Sequence, residues 1–493
     1  MSYLELLRLA SPEAIVVVTA LAVLAIGLSS RWGETLSSRR ICSFVAVLGL
    51  ALAIGAVLFL PRNANLFGGM LVVSPLNSLF KIICLGLAFC TVLLTPAEKS
   101  LHHPGEYLAM LLFGTIGLML LVGSEEFLMI FIGLELLGLS LYVLTAFDKA
   151  DVRSAEAGLK YFLFGSTASA FTLFGISLIY GLSGTTGLAA IAQKLGAAPV
   201  QPLLAVGIVM TLVGFAFKIA AAPFHPWAPD TYQGAPALSA AFIASGSKVA
   251  SFVVLGKIVL IGFAPLQGSA AWHAMVAGWS PVLGALAVLS ILVGNFVALA
   301  QTNVRRLLAY SAVAHAGYTL LGLVAGGREG FSATLFYTSI YAITLLGAFG
   351  VVALVRRKTG GDDLENFAGL REGSPLLAGC MSVFILSLAG LPPLAGFFGK
   401  FYLFSAALHS GGNQGLLWLV AIALFGSFIS LYYYLMVLKV MFVDKRPEPV
   451  PRYSSTVAGH LIVEFAITVL AVAVLLLGIV PSVLVGRILA SLP

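Results

Sequence analysis

The chain has 493 residues, 60% hydrophobic and only 10% charged, with a mean hydropathy of +1.05 and a formal net charge of +7. A soluble domain carries roughly 25% charged residues, so this chain cannot cover itself against water. A length that would suggest about three soluble domains is instead filled by evenly spread apolar runs. The basic excess collects in the loops of one membrane side, so it is not evidence for a nucleic-acid surface.

Runs long enough to cross a bilayer, roughly 20 residues each, fall at 13–29, 41–60, 73–95, 106–123, 126–147, 159–182 and 203–231. A second series falls at 236–262, 279–300, 304–325, 331–355, 375–409, 415–442 and 458–483. The fold expected is therefore an all-α integral membrane bundle of about fourteen transmembrane helices. The first run is read as a retained helix. Glu5 and Glu13 precede or open it, where a signal peptide would have a basic start and a small-residue cleavage site. Cys42, Cys84, Cys90 and Cys380 lie in or beside apolar runs without a CxxC, which gives no haem or iron–sulfur ligation. His102 and His103 stand without further ligands, and no metal site is expected there. The stretch RRKTGGDDLENFAGLREGSP from Arg356 is read as a loop or a short surface helix.

Orientation follows from the loops. The odd-numbered ones hold Arg31, Arg39, Arg40, Lys99, Lys149, Arg153, Arg305, Arg306, Arg356, Arg357, Lys358, Arg371, Lys445, Arg446 and Arg452. The even loops and termini hold only Arg8, Arg62, Lys194, Arg328 and Arg487. By the positive-inside rule the odd loops are cytoplasmic and both termini are periplasmic.

Two spans read as broken. The seventh contains FAFKIAAAPFHPWAPDTY, with Pro223, Pro226 and Pro229; the twelfth contains LAGLPPLAGFFGKFYLF, with Pro392 and Pro393. Proline removes a helix hydrogen bond and clashes with the preceding turn. Unwound backbone at membrane depth persists only where protein or a water-filled cavity satisfies it. The two breaks are five spans apart, as expected of two inverted five-helix repeats over helices 4–8 and 9–13. The expected segments are residues 1–104 for helices 1–3, 105–262 and 263–442 for the repeats, and 443–493 for helix 14.

Ionisable residues at the centre of a span cost about 2.5–3.5 kcal/mol each on insertion scales. Glu135 is mid-span in FIGLELLGLSLYVL, Lys218 is central in the seventh span, Lys248 in the eighth and His315 in the tenth, and Lys400 follows the second break. One glutamate cannot neutralise three lysines and a histidine, so pairwise neutralisation does not explain them all. A lysine in low dielectric gives up its charge more easily and a nearby carboxylate restores it. A movable carboxylate therefore loads and unloads a proton. In this reading Glu135 modulates Lys218, Lys248 relays, and Lys400 is the terminal donor. His315, with an unperturbed pKa of roughly 6.5, is either a bridge between them or a packing residue. Lys160, placed within one turn of the start of the sixth span, either snorkels to water or touches the Glu135 region. Lys81, Lys257 and Lys439 lie nearer span ends and are expected to snorkel. No GxGxxG before a helix, P-loop, HExxH or GxSxG is present.

The stretches GEYLAMLLFGTIGLMLLVGSEEFLMIFIGLELLGLSLYVL, LKYFLFGSTASAFTLFG, FKIAAAPFHPWAPDTYQGAPALSAAFIASGSKVASF, NVRRLLAYSAVAHAGY and LAGLPPLAGFFGKFYLF run from Gly105 to Phe404. Through them the chain resembles the antiporter-like membrane subunits of respiratory complex I. Lys248 in its GSKVASF setting places the resemblance on the branch of mitochondrial subunit 2, since the sister branches usually have a histidine there. The resemblance implies a proton-translocating subunit of an NADH:quinone oxidoreductase. It implies a helix-five glutamate (Glu135) paired with a helix-seven lysine (Lys218), then Lys248 on helix eight and Lys400 on helix twelve. Lys160 matches a helix-six lysine associated with the glutamate. It further implies that this chain carries no cofactor, with NADH, FMN, iron–sulfur clusters and quinone bound by partner subunits. The expected partners are the other complex I membrane subunits, the lipid bilayer and protons, with no nucleic acid, in a bacterial inner membrane. The alternative is a subunit of a multi-subunit Na+(K+)/H+ antiporter or a membrane-bound hydrogenase.

Overall fold

In the computed structural model, residues 3–29, 36–98, 101–196, 201–410, 415–444 and 458–492 are described. Arg31, Lys99, Lys445, Arg446 and Arg452, which entered the orientation argument, lie outside them. Besides short helices at Tyr3–Leu9, Leu188–Leu195 and Ser482–Ser491, the helices in chain order are α1 (Ser11–Leu28), α2 (Leu36–Leu58), α3 (Pro75–Leu94), α4 (Pro104–Gly123), α5 (Phe127–Thr145) and α6 (Val152–Ser183). The seventh apolar run is split into α7a (Pro202–Lys218) and α7b (Trp227–Gly234). There follow α8 (Ala237–Gly262), α9 (Trp279–Ala298), α10 (Val304–Ala325) and α11 (Gly327–Thr359). The twelfth run is split into α12a (Pro375–Ala389) and α12b (Ala395–His409), followed by α13 (Leu417–Phe442) and α14 (Ala458–Ile479). Twelve of these helices are long and apolar enough to cross a membrane. The protein is a multi-pass membrane protein.

Local sequence starts the helices. The Ser74, Glu126, Asp151 and Asn303 side chains accept backbone N–H groups at the first turns of α3, α5, α6 and α10. These satisfy donors that helix geometry leaves orphaned. Proline opens α3, α4, α7a and α12a, where its missing N–H costs nothing. Burial is then sorted by helix. α8, α10 and α11 are buried along nearly their whole length, whereas α2, α6, α13 and α14 keep an exposed apolar face. Phe162, Leu163, Phe174, Phe428 and Phe465 lie on such faces, as suits helices turned toward hydrocarbon. The three central helices carry Lys248, His315 and most of the tyrosines discussed below.

Several boundaries differ from those expected. α6 begins at Val152 rather than 159, so Lys160 is more than two turns inside the helix. α11 extends four residues beyond the expected span at each end. The stretch after it forms a turn of 3-10 helix at Leu364–Phe367 and a short helix at Leu370–Gly373. The second loop holds a small antiparallel hairpin, β1 (Ala64–Leu66) with β2 (Leu71–Val73), which the apolar pattern did not signal.

Lys81 and Lys257 do not snorkel. Both are 1% exposed. Lys81 Nζ lies 2.6 Å from the Glu13 carboxylate on α1. Lys257 donates to Asn77 Oδ1 (2.6 Å) and to the Val122 carbonyl (2.8 Å) at the end of α4. Together they tie α1 to α3, and α3 and α4 to α8. Partners from other helices, absent from any one-dimensional reading, decided the difference. Lys439, with its side chain 59% exposed, is at the surface as expected.

Candidate functional site

Both predicted breaks are present. α7a ends on Lys218, and the chain leaves helical geometry until Trp227. Trp227 Nε1 donates to the Phe217 carbonyl (3.0 Å), and the Ala222 amide donates to Ser290 Oγ of α9 (2.8 Å). The break is thus satisfied by protein, the condition for unwound backbone at membrane depth. α12a ends on Ala389, followed by Gly390 with φ +83°. A Cβ on Gly390 would lie 3.0 Å from Lys400 Cδ. Lys400 is on α12b, but its Nζ donates back to the Ala389 carbonyl (3.0 Å) and to Ser427 Oγ on α13 (2.8 Å). Lys218 is thus the last residue of one first half-helix, with its ammonium turned toward α5, and Lys400 places its ammonium at the C-terminal end of the other, where the helix dipole favours a cation. Gly390→Ala is expected to cost about 1–2 kcal/mol for the left-handed residue. It should also displace Lys400 from the Ala389 carbonyl, and thermal unfolding of the purified protein measures the cost.

Glu135 and Lys218 share one narrow cleft, with Phe131, Tyr142, Ser169 and Phe217 among its walls. The Glu135 carboxylate accepts the Ser169 hydroxyl of α6 at 2.5 Å. Lys218 Nζ lies 3.4 Å from where a Cβ on Gly138 would be. Gly138 is three residues after Glu135 on α5, hence on the same face. Among the described residues the two make no direct ion pair. The cleft holds about 20 Å3, room for one water.

Lys248 lies immediately after a π-helical turn, Ile243–Ser247, a wider coil often found at functional sites. Its Nζ donates to the Ala312 carbonyl of α10 (2.7 Å) and sits 5.3 Å from the Tyr341 ring centre. That ring is 4.9 Å from the His315 ring. On the other side His315 is 5.6 Å from the Tyr318 ring, which lies 5.2 Å from Lys400 Nζ. His315 thus stands between the two lysines, one tyrosine from each. Its nitrogens are both engaged: Nδ1 with the Tyr337 hydroxyl (2.6 Å) and Nε2 with the Tyr434 hydroxyl (3.0 Å).

Lys160 is held elsewhere. Its Nζ pairs with Glu156 (2.7 Å) and with Asp230 of α7b (2.9 Å), and Asp230 also binds Arg306 of α10 (2.8 Å). Of the two readings of Lys160, contact with Glu135 is not the one adopted in this conformation. Among the described residues no three His, Cys, Asp or Glu side chains gather as metal ligands.

Sequence reasoning missed Asp230, Ser169, Ser427 and the tyrosines. The tyrosines had a signal. Tyr318, Tyr337, Tyr341 and Tyr434 sit within their spans, whereas membrane tyrosines usually gather at the interfaces. A buried phenol needs a partner for its hydroxyl.

Residues 124–430 match the membrane region described as NADH:quinone oxidoreductase/Mrp antiporter, TM. NADH-quinone oxidoreductase subunit N 2 of Acidobacterium capsulatum is 46% identical over 98% of both chains. The chain belongs to the subunit N family of NADH-quinone oxidoreductases. A chain of respiratory complex I from Thermus thermophilus is 32% identical to this subunit N homologue. It aligns with a TM-score of 0.77 over 96% of this chain and 98% of that one. A chain of the Mrp complex from Dietzia, 21% identical with a TM-score of 0.82 over 98% and 97%, shares the fold.

Proposed function

We propose that this chain is a proton-translocating subunit in the membrane arm of respiratory complex I. NADH oxidation and quinone reduction take place in partner subunits, which bind NADH, FMN, iron–sulfur clusters and quinone. The supporting observation is two groups of ionisable side chains within the spans: half-buried Glu135 and buried Lys218 in one cleft, and Lys248, His315 and Lys400, all buried, linked through Tyr341 and Tyr318. Movement in a neighbouring subunit shifts Glu135 relative to Lys218 and changes how readily that lysine holds its proton. The proton then passes by way of Lys248 and His315 to Lys400. Among the described residues, the hydroxyls of Thr231 and Tyr232 on α7b and of Tyr161 on α6 are buried with no hydrogen-bond partner. Groups of that kind bind ordered water, which suits a hydrated link. Lys160, through Asp230 and Arg306, joins α6 to α10 beside this link.

The two half-helix lysines support fourteen spans arranged as inverted repeats over 105–262 and 263–442, with helices 1–3 before them and helix 14 after. The loop charges support cytoplasmic odd loops, periplasmic termini and a bacterial inner membrane. The runner-up, a subunit of a cation:proton antiporter or membrane-bound hydrogenase, has the shared fold in its favour. Purification of the native complex decides between them. NADH-dependent quinone reduction coupled to proton uptake is the expected result. Sodium-linked transport without NADH:quinone activity contradicts it.

A further inference from the structure

We propose that Tyr337 and Tyr434 set the protonation of His315 in opposite senses, with Tyr337 a gate between Lys248 and Lys400. The inference rests on the proton-path reading above. Both tyrosines are positioning residues. Tyr434 has His315 Nε2 at 3.0 Å and Ser311 Oγ at 2.5 Å, with the Tyr433 hydroxyl as a further neighbour. Tyr337 has one among the described residues, His315 Nδ1 at 2.6 Å.

A neutral imidazole offers one donor and one acceptor, whereas an imidazolium offers two donors. One arrangement satisfies both phenols bonded to the ring. Tyr337 donates to Nδ1, the Nε2–H donates to Tyr434, and Tyr434 donates to Ser311. Adding a proton at Nδ1 obliges Tyr337 to withdraw its hydroxyl hydrogen, and an orphaned buried donor carries a desolvation cost. Tyr434 needs no such change. It accepts from Nε2 in both states, and more strongly when the ring is charged. Tyr337 therefore opposes charging of the ring and Tyr434 supports it.

The other groups facing the ring are Tyr318 on its own helix and Tyr341 on α11. Lys248 of α8 lies behind Tyr341, and Lys400 of α12b lies behind Tyr318. None is a carboxylate; a charge on either lysine opposes charging of the ring, and the two hydroxyls are the groups in hydrogen-bond contact with it. The gate also has a handle. A Cβ on Gly399, the residue before Lys400, would lie 2.5 Å from Tyr337 Cδ2. The Tyr337 ring thus lies against the α12b backbone, and a displacement of that half-helix moves the hydroxyl off Nδ1.

The test uses the whole complex carrying Tyr337→Phe or Tyr434→Phe. The pH profile of proton-coupled NADH:quinone reduction is compared with that of a His315→Gln complex, which identifies the limb owed to the histidine. Tyr337→Phe should move that limb to higher pH by roughly half to one unit, the worth of one buried hydrogen bond. Tyr434→Phe should move it to lower pH. Ser311→Ala, a smaller change that removes the second partner of Tyr434, should act like Tyr434→Phe. Shifts in the same direction, or none in assembled complexes, overturn the proposal. A failure here with Lys218→Ala still lowering proton stoichiometry condemns only the gate. Unchanged stoichiometry in Lys218→Ala condemns the proton path itself.

Discussion

Lys248→Met is expected to lower the proton-coupled rate about ten-fold or more while leaving the assembled protein at least as stable. Positioned proton carriers are worth roughly 10²–10⁴-fold in the transfers they serve. Lys248 is 2% exposed, on a helix buried along nearly its whole length, and among the described residues its Nζ has one hydrogen bond, to the Ala312 carbonyl. Methionine fills a similar volume without a charge to bury, and replacing buried charge by apolar packing is often neutral or stabilising. Stability and activity should thus move apart. Thermal unfolding of the purified complex, set beside its proton pumping, checks both halves. A variant that pumps normally would remove Lys248 from the path.

Arg305→Ala should have the largest effect on folding. Arg305 is 3% exposed, forms an ion pair with Asp362 beyond α11, and donates from Nη1 to the Ala235 carbonyl at 2.7 Å. Asp362 is otherwise held by Asn303 Nδ2 at 2.7 Å. Truncating the arginine leaves a buried carboxylate without its counter-charge, which costs about 3–5 kcal/mol. That is a large share of the stability of most proteins. The expected result is loss of the subunit from membranes, measured by its abundance, and partial recovery when Asp362 is made apolar as well. Asp230→Asn, which breaks two partly exposed pairs, should cost no more than about 1 kcal/mol for each.

The fold and the charged residues were legible because hydropathy and proline act locally. Apolar runs gave the spans, the prolines gave both breaks, and Glu135, Lys218, Lys248, His315 and Lys400 stood out as charges within hydrocarbon. The burial of Lys81 and Lys257 was not legible. Depth along a helix says nothing of which neighbour covers the residue, and Glu13 and Asn77 come from other helices. The engagement of Lys160 with Asp230 was hidden for the same reason, since the partner lies beyond the break 70 residues on. The tyrosine box around His315 draws on α10, α11 and α13. Only packing reveals that these phenols meet. The π-helical turn before Lys248 has no simple sequence signature either.

The most direct test of the account is the proton-to-electron ratio of the complex carrying Lys218→Ala, measured in sealed vesicles with assembly verified. Lys218 lines the Glu135 cleft and heads the proposed path to Lys400. The account predicts an assembled complex that moves fewer protons per electron than the parent. An assembled complex with an unchanged ratio would contradict it.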